Sequence, residues 1–290
     1  MPMTAQELSS PYYKLWQKAK QLGWDPMDID LSADKAQWAR IKAEYPEERY
    51  AEQILKLTSL FYQGEESVTK TLAPLCWAVS HGGFGLDKEL FLTSRLYEEA
   101  KHFEFFVRYF TEVFELDGAV TESYLAPAPQ AVLINDLEEV TERLRRTEDP
   151  VALKATFAEA ITHYMGVVEA MLARTGYVGA HDALASRGWL PGLQEGFRLI
   201  KRDEGRHVAF GMYCIAELTA EHPEYRAQVQ AIFEKQLPNV LATVQEFDYP
   251  HPLVDLDKLT GYALAQYERF AAAAGLSGEA INLDALTIDD

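Results

Sequence analysis

The hydrophobic positions of this chain recur at helical spacing over long stretches, and no stretch alternates apolar and polar residues as a half-buried strand would. Clusters of glycine and proline interrupt the helical pattern at residues 81–85, 124–129 and 186–192. The pattern therefore predicts an all-α fold in which these three segments are turns or loops between long helices.

Four of the predicted helices are long enough to build a core. They span about residues 46–80, 87–115, 150–175 and 193–221. Pro74 should kink the first of them, and Gly176 and Gly179 should end the third. A connecting helix is predicted over residues 130–146, and the residues after 221 are expected to form peripheral helices and an acidic tail.

These four helices carry two copies of one motif of glutamate and histidine. In each copy a lone Glu precedes a Glu-x-x-His, by 34 residues in the first copy and by 35 in the second. The copies are Glu65, Glu99 and His102, and Glu169, Glu204 and His207. Residues three apart lie on one face of a helix, so each Glu-x-x-His can bind one ion with both side chains. Ferritin-like four-helix bundles build dinuclear carboxylate sites in this way, and the spacing predicts such a site here.

The kinds of donor in this set favour iron or manganese. Four carboxylates and two imidazoles do not select zinc or copper as thiolates would. One Glu-x-x-His alone is a weak signal, since about one is expected by chance with seven histidines in the chain. The second copy, with its matching upstream Glu, makes chance a poor explanation. The histidines without a Glu three residues before them are interpreted as ordinary helix or loop residues: His81, His163, His181, His222 and His251.

Length and charge narrow the class of protein. With 290 residues and 48% hydrophobic residues, the chain can bury a large core in one long-helix domain over residues 1–290. Its formal net charge of −18 disfavours nucleic acid and anionic membrane surfaces as partners, because the average field repels both. Composition therefore agrees with a compact soluble enzyme.

Cysteine usage and hydropathy indicate the compartment. Cys76 and Cys214 both lie in apolar helical runs, which suggests a reducing environment without a disulfide scaffold. Residues 1–7 have neither the basic nor the apolar segment of a signal peptide. No uncharged stretch approaches the roughly 20 residues that span a bilayer. We therefore expect no transmembrane segment and a cytoplasmic location.

The order Glu, Glu-x-x-His, Glu, Glu-x-x-His resembles that of the ribonucleotide reductase small-subunit superfamily. The finer likeness is to its ligand-binding oxidase branch. That branch is similar in the stretch Gly64-Glu65-Glu66-Ser67-Val68 and in Tyr164, which lies five residues before Glu169. The resemblance covers about residues 46–215, which would be the metal-binding core.

The resemblance implies a ferritin-like oxidase with a heterodinuclear manganese/iron centre, or a di-iron one, that activates O2. It also implies a long-chain fatty acid bound beside the metals and a homodimer. In that branch the oxidised centre joins the matching valine and tyrosine by an ether bond, here between the β-carbon of Val68 and the phenolic oxygen of Tyr164. Val68 lies one helical turn from Glu65, so its placement agrees with this role.

Some of these roles have plainer alternatives. Val68 and Tyr164 taken alone are more often ordinary core residues. Glu66 could replace Glu65 as a ligand, although Glu65 keeps Val68 at the offset of the family. Asp203 precedes Glu204 and could hydrogen-bond a ligand histidine from outside the metal shell, although a surface Asp is the default.

Two other functions remain open at the level of sequence. A ribonucleotide reductase radical subunit usually has a tyrosine four residues after the first motif histidine, where this chain has Phe106, although some such subunits also carry Phe there. No tyrosine follows Tyr267 to relay a radical, which favours the oxidase. A non-enzymatic iron store or lipid carrier is the third possible function. The external substrate, the ion at each position and the reductant stay open.

Overall fold

The computed structural model describes residues 3–118 and 128–277, with only the helical backbone given for 128–132. Within these residues the regular elements are all helical, which confirms the predicted all-α class. Four helical stretches form the core: α4 (Tyr50–Thr71), α6 (Leu86–Tyr109), the stretch that runs from α8 (Pro150–Ile161) to α9 (Arg174–Ala185), and α10 (Pro191–Glu221). Helix α4 packs on α6, and α10 packs on the stretch from α8 to α9.

The first predicted helix is interrupted close to its proline. Helix α4 ends at Thr71, and α5 (Ala73–Gly82) begins with Pro74 in its first turn, where a missing N–H costs nothing. Helix α5 ends at Gly82 and is capped by Gly83, whose φ of 64° is left-handed. The expected kink is therefore present as a break between two helices, and the turn after residue 80 is where the glycines predicted it.

The prediction that Gly176 and Gly179 end the third helix is wrong. Helix α9 continues through both glycines to Ala185. A β-carbon at Gly176 would lie 2.8 Å from the ring of Phe61, and one at Gly179 would collide with Leu259. At these two positions glycine leaves room for side chains that pack close to the helix backbone. The apolar packing around the helix keeps it intact.

Between α8 and α9, residues Thr162–Ala173 form a π-helix that carries Tyr164 and Glu169. Residues five apart in an α-helix point about 140° away from each other. In a π-helix the hydrogen bonds run from i to i+5, which brings such residues to one side, and π segments are frequent at functional sites. The π-helix therefore turns Tyr164 and Glu169 toward the same interior.

The remaining helices surround this core. Helix α7 (Ala128–Arg146) connects the halves as predicted, α11 (Tyr225–Gln245) and α12 (Leu256–Ala273) are the expected peripheral helices, and α1 (Ala5–Ser9), α2 (Pro11–Gln21) and α3 (Ser32–Glu44) precede the bundle. Of the predicted loop at 124–129, residues 124–127 lie outside the described residues and the last two belong to α7. The predicted acidic tail beyond 277 also lies outside them. None of the helices described is both long and apolar enough to cross a membrane.

An N-terminal helix fixes the start of α10, which carries the second Glu-x-x-His. The carboxylate of Asp34 on α3 accepts hydrogen bonds from the backbone N–H groups of Gly192 and Leu193, each at 2.8 Å. The hydroxyl of Tyr109 on α6 donates to the same carboxylate at 2.9 Å. Asp34 is buried. Its carboxylate caps α10, where a negative charge is favourable because it lies at a helix N-terminus.

Candidate metal centre

The four core stretches bring the six predicted ligand residues together in the interior, where all are buried. Their donor atoms form two groups, each within 4.8 Å. The groups are Glu65, Glu99, His102 and Glu204, and Glu99, Glu169 and His207. Glu99 belongs to both groups, so its carboxylate lies between two adjacent positions that could each hold an ion.

One atom of each of these six residues is buried without a hydrogen-bond partner. These atoms are Glu65 Oε2, Glu99 Oε2, His102 Nδ1, Glu169 Oε2, Glu204 Oε2 and His207 Nδ1. A buried polar atom without a hydrogen-bond partner destabilises the fold. Several such atoms that point to one place indicate a binding site for an ion or a ligand. Hard oxygen and imidazole nitrogen donors fit iron or manganese. The residues therefore fit a dinuclear metal centre.

Both histidines point Nδ1 into the cluster and Nε2 away from it. His102 Nδ1 lies 3.5 Å from Glu204 Oε1, and His207 Nδ1 lies 3.2 Å from Glu99 Oε1. On the outer side, His102 Nε2 is 3.2 Å from Asp203 Oδ2, and His207 Nε2 is 2.8 Å from Glu98 Oε2. An outer carboxylate that accepts the Nε2–H leaves the Nδ1 lone pair free for an ion.

The contact between Asp203 and His102 is the one expected from the sequence, whereas Glu98 was missed. Glu98 precedes Glu99 just as Asp203 precedes Glu204, so the doubled motif contained the signal. Each outer carboxylate holds the histidine of the opposite helix. Arg206 Nη2 joins the two, at 2.5 Å from Glu98 Oε1 and 2.6 Å from Asp203 Oδ1.

Trp24 also reaches this outer layer, from the segment between α2 and α3. Its indole N–H donates to Asp203 Oδ2 at 2.7 Å, and its ring stacks on His102 with the centroids 6.2 Å apart. Lys101 Nζ lies 2.8 Å from the same carboxylate oxygen and 4.4 Å from the indole centroid. No spacing in the sequence pointed to Trp24, because it is far from the motifs along the chain.

The ionisable side chains of the cluster shift one another's pKa values. Burial raises the pKa of Glu65 to about 7. Burial also disfavours ionised Glu99, but His207, His102 and Arg95 outweigh it and hold the pKa of that carboxyl well below its usual range. Burial would lower the pKa of His207, yet the charges of Glu99 and Glu204 raise it to about 10. An ion must therefore displace a proton from His207 at neutral pH.

A buried arginine pairs with two of the ligand carboxylates, which are called the inner carboxylates to distinguish them from the outer ones of Glu98 and Asp203. Arg95 is fully buried, its Nε lies 3.2 Å from Glu99 Oε1, and its Nη2 contacts Glu169 Oε1. Its guanidinium also lies 4.3 Å from the ring centroid of Tyr164. The sequence carried a signal for this residue, since Arg95 precedes Glu99 by four positions on one helix face.

Two tyrosines contact the chain beside Glu65. The Tyr164 hydroxyl donates to the backbone oxygen of Val68 at 2.8 Å, so the structure brings together the two residues named from the family resemblance. The Tyr177 hydroxyl donates to Glu65 Oε1, and its ring stacks on Phe61 with the centroids 4.1 Å apart. Tyr177 was not predicted, and no motif in the chain marks it.

An apolar cavity begins at the cluster and runs between α4, the π-helix and α11. Glu65, Glu99, Glu169 and Glu204 line one part of it. Apolar side chains line most of the rest, including Leu57, Leu60, Val168, Leu172, Val244, Phe247, Val254 and Leu259. The cavity thus combines a polar metal-binding end with an apolar body.

The sequence profile of the family described as "Ribonucleotide reductase, small chain" matches residues 9–274. The chain belongs to this family. Solved structures of R2-like ligand-binding oxidase variants are similar to it. One, with an anaerobically reconstituted Mn/Fe cofactor, shares 28% sequence identity at a TM-score of 0.80, over 92% of this chain and 94% of that chain. Another, with an aerobically reconstituted Mn/Fe cofactor, shares 28% identity at a TM-score of 0.81 over the same shares of the two chains.

These likenesses confirm the family resemblance inferred from the doubled motif, and with it the ferritin-like bundle. The family and the buried cluster of carboxylates and histidines identify the chain as an oxidoreductase with a dinuclear metal centre.

Proposed function

We propose that the protein is an O2-activating dinuclear oxidase whose ions are held by Glu65, Glu99, His102, Glu169, Glu204 and His207. The observation that carries this assignment is the set of six buried, unpartnered donor atoms, one on each of these residues. The similar solved structures with Mn/Fe cofactors support a manganese/iron pair, with two irons as the alternative. When bound, such a pair would supply two of the four electrons that reduce O2 to water.

The surrounding residues hold the ligands in place for this chemistry. Asp203 and Glu98 fix the ring orientation of the two histidines from outside. The hydroxyl of Tyr177 orients Glu65. The apolar side chains of the bundle exclude water, which limits the escape of a strong oxidant into solvent.

We further propose that the cavity binds a long-chain fatty acid, with its carboxylate at the ions and its tail among the apolar side chains. A carboxylate is a hard oxygen donor that suits these cations. Burial of the tail contributes about 0.8 kcal/mol per methylene, so a long chain should survive purification. The cavity supports this proposal because its acidic end and its apolar body are continuous.

The same centre is proposed to oxidise its own protein, with Val68 and Tyr164 as the reacting residues. The new bond joins the Val68 β-carbon to the phenolic oxygen of Tyr164, and the C–H and O–H bonds of these atoms break. The two electrons and two protons released would go to O2, which two further electrons from the bound ions and two protons from solvent would reduce completely to water. The hydrogen bond from Tyr164 to the backbone oxygen of Val68 supports the pairing, because it holds the phenol at this residue.

Phe106 alone does not decide between the oxidase and a radical-generating reductase subunit, because some such subunits also carry Phe at this position. It is fully buried and stacks on Phe61, with the ring centroids 5.8 Å apart. A phenyl ring at this position cannot store a tyrosyl radical. We also propose one domain over residues 1–290, which follows from the chain length, and a homodimer, which the resemblance implies. Sedimentation of the metal-loaded protein would measure the oligomeric state.

Metal content, O2 uptake and bound lipid test the function together. Anaerobic loading with iron and manganese should give two ions per chain, and the Glu99→Ala and His207→Ala variants should lose metal. Full occupancy in both variants, or zinc alone in the wild type, would contradict the assignment.

Organic extraction should release long-chain acids. A lipid carrier would hold them without metal and consume no O2, and a radical subunit would support ribonucleotide reduction with a large subunit.

A further inference from the structure

Arg95 gives the two groups of ligands different electrostatic surroundings. Its guanidinium contacts Glu169 Oε1, and its Nε lies 3.2 Å from Glu99 Oε1. In the part of the chain that the structure describes, it is the one arginine or lysine paired directly with these inner carboxylates. Glu65 is bonded instead by Tyr177, and Glu204 faces His102 and His207.

The charge of Arg95 cannot be removed by proton loss, because a guanidinium stays protonated in proteins. A divalent ion held by Glu99, Glu169 and His207 would therefore lie beside a permanent positive charge in a buried site. Charges of like sign repel strongly at such distances when water is excluded. The group of Glu65, Glu99, His102 and Glu204 has one more carboxylate side chain, and Arg95 contacts it only through Glu99, the residue that both groups share.

We propose that Arg95 makes the two metal positions unequal, so that an ion binds tightly to the first group and a second ion binds more weakly to the group that contains Glu169. This inference rests on the proposed dinuclear centre. Arg95 acts as a positioning residue, because it holds Glu99 and Glu169 by ion pairs rather than binding an ion itself. Unequal positions would let the chain load two different metals in order.

Anaerobic titration of the protein with Mn(II), followed by equilibrium dialysis, tests the proposal. The wild type should show two steps whose dissociation constants differ by about tenfold or more. Arg95→Gln removes the charge and should tighten the weak step by about tenfold or more. Arg95→Lys keeps a positively charged side chain at this residue and should retain two separate steps.

A matched pair of variants shows which position is weak. Glu65 and Glu169 are the lone glutamates of the two motif copies. Glu169→Gln should abolish the weak step and leave the tight one, whereas Glu65→Gln should weaken the tight one. At one equivalent of Mn(II), the wild type should also give the paramagnetic resonance spectrum of an isolated ion.

Equal affinities at both positions of the wild type would overturn the proposal, even if Arg95→Gln failed to fold. An unchanged weak step in folded Arg95→Gln, or loss of the tight step in Glu169→Gln, would also overturn it. A wild type that binds no Mn(II) or Fe(II) at all would instead contradict the dinuclear centre, so the two failures are distinguishable.

Discussion

Glu98 and His207 face each other across the bundle, with Glu98 Oε2 2.8 Å from His207 Nε2. Glu98 lies on α6, whereas His207 lies on α10, so each motif copy supports the histidine of the other through its outer carboxylate. Asp203 and His102 repeat the relationship in the opposite direction. The two halves of the site therefore depend on each other for the orientation of their nitrogen donors.

Glu98→Gln should weaken the ion held by Glu99, Glu169 and His207 by about 10- to 100-fold, because the carboxylate that orients His207 is lost. Metal content after dialysis against graded chelator measures the effect. Glu66→Gln is the matched control, since Glu66 is partly exposed and pairs with Lys70 at 2.6 Å. Equal metal loss in both variants would contradict the assigned role of Glu98 and revive Glu66 as a ligand.

Metal affinity should rise with pH. Burial lowers the pKa of His207, but Glu99 and Glu204 raise it to about 10, and burial raises the pKa of Glu65 to about 7. Both groups must lose a proton to bind an ion, so affinity should increase up to about tenfold per pH unit for each proton released. The gain from Glu65 ends near pH 7, whereas the gain from His207 continues toward pH 10.

Calorimetric titration in two buffers of different ionisation enthalpy measures the protons released by metal binding. His163→Gln is the control, since His163 belongs to neither group of ligand residues and its Nε2 lies 2.9 Å from the backbone oxygen of Leu133. This variant should release as many protons as the wild type. Affinity that is constant between pH 6 and pH 8 would refute the predicted coupling.

Exposure of the reduced metal-loaded protein to O2 should link Val68 to Tyr164. Peptide mass spectrometry should show the two segments joined with the loss of two hydrogens. Tyr164→Phe should abolish the link, because the variant has no phenolic oxygen. Tyr109→Phe should retain it, since Tyr109 is bonded to Asp34 instead. Separate peptides after optically verified metal oxidation would contradict the cross-link.

Asp34→Ala should lower the free energy of unfolding by about 2–4 kcal/mol, because two buried backbone N–H groups at the start of α10 lose their acceptor. Chemical denaturation measures the change. Asp149→Ala is the comparison, because Asp149 caps α8 at an exposed position through one bond to Ala152 N, of 2.8 Å. Its loss should cost about 1 kcal/mol. A smaller effect at Asp34 than at Asp149 would contradict the buried cap.

The sequence predicted those parts of the site that depend on periodicity. Six ligand candidates follow from two spacings on helices, and the structure brings all six together. Glu98 and Arg95 could have been found by the same reasoning, since one repeats the position of Asp203 and the other lies one turn from Glu99. Their roles depend on residues of the opposite helix, which periodicity within one segment does not show.

Other features could not be predicted, because they depend on contacts between distant segments. Trp24 reaches Asp203 from the segment before α3, and Asp34 reaches α10 from α3. The prediction for Gly176 was wrong because this glycine leaves room for the ring of Phe61 and does not form a turn. The π-helix that turns Tyr164 toward the site likewise had no signal in the pattern of apolar residues.

Anomalous diffraction at the manganese and iron absorption edges, on crystals of the wild type loaded with both metals, tests the central claim most directly. We expect two anomalous peaks per chain. One should lie among Glu65, Glu99, His102 and Glu204, and the other among Glu99, Glu169 and His207. A single peak, or peaks outside this cluster, would contradict a dinuclear centre built from the doubled motif.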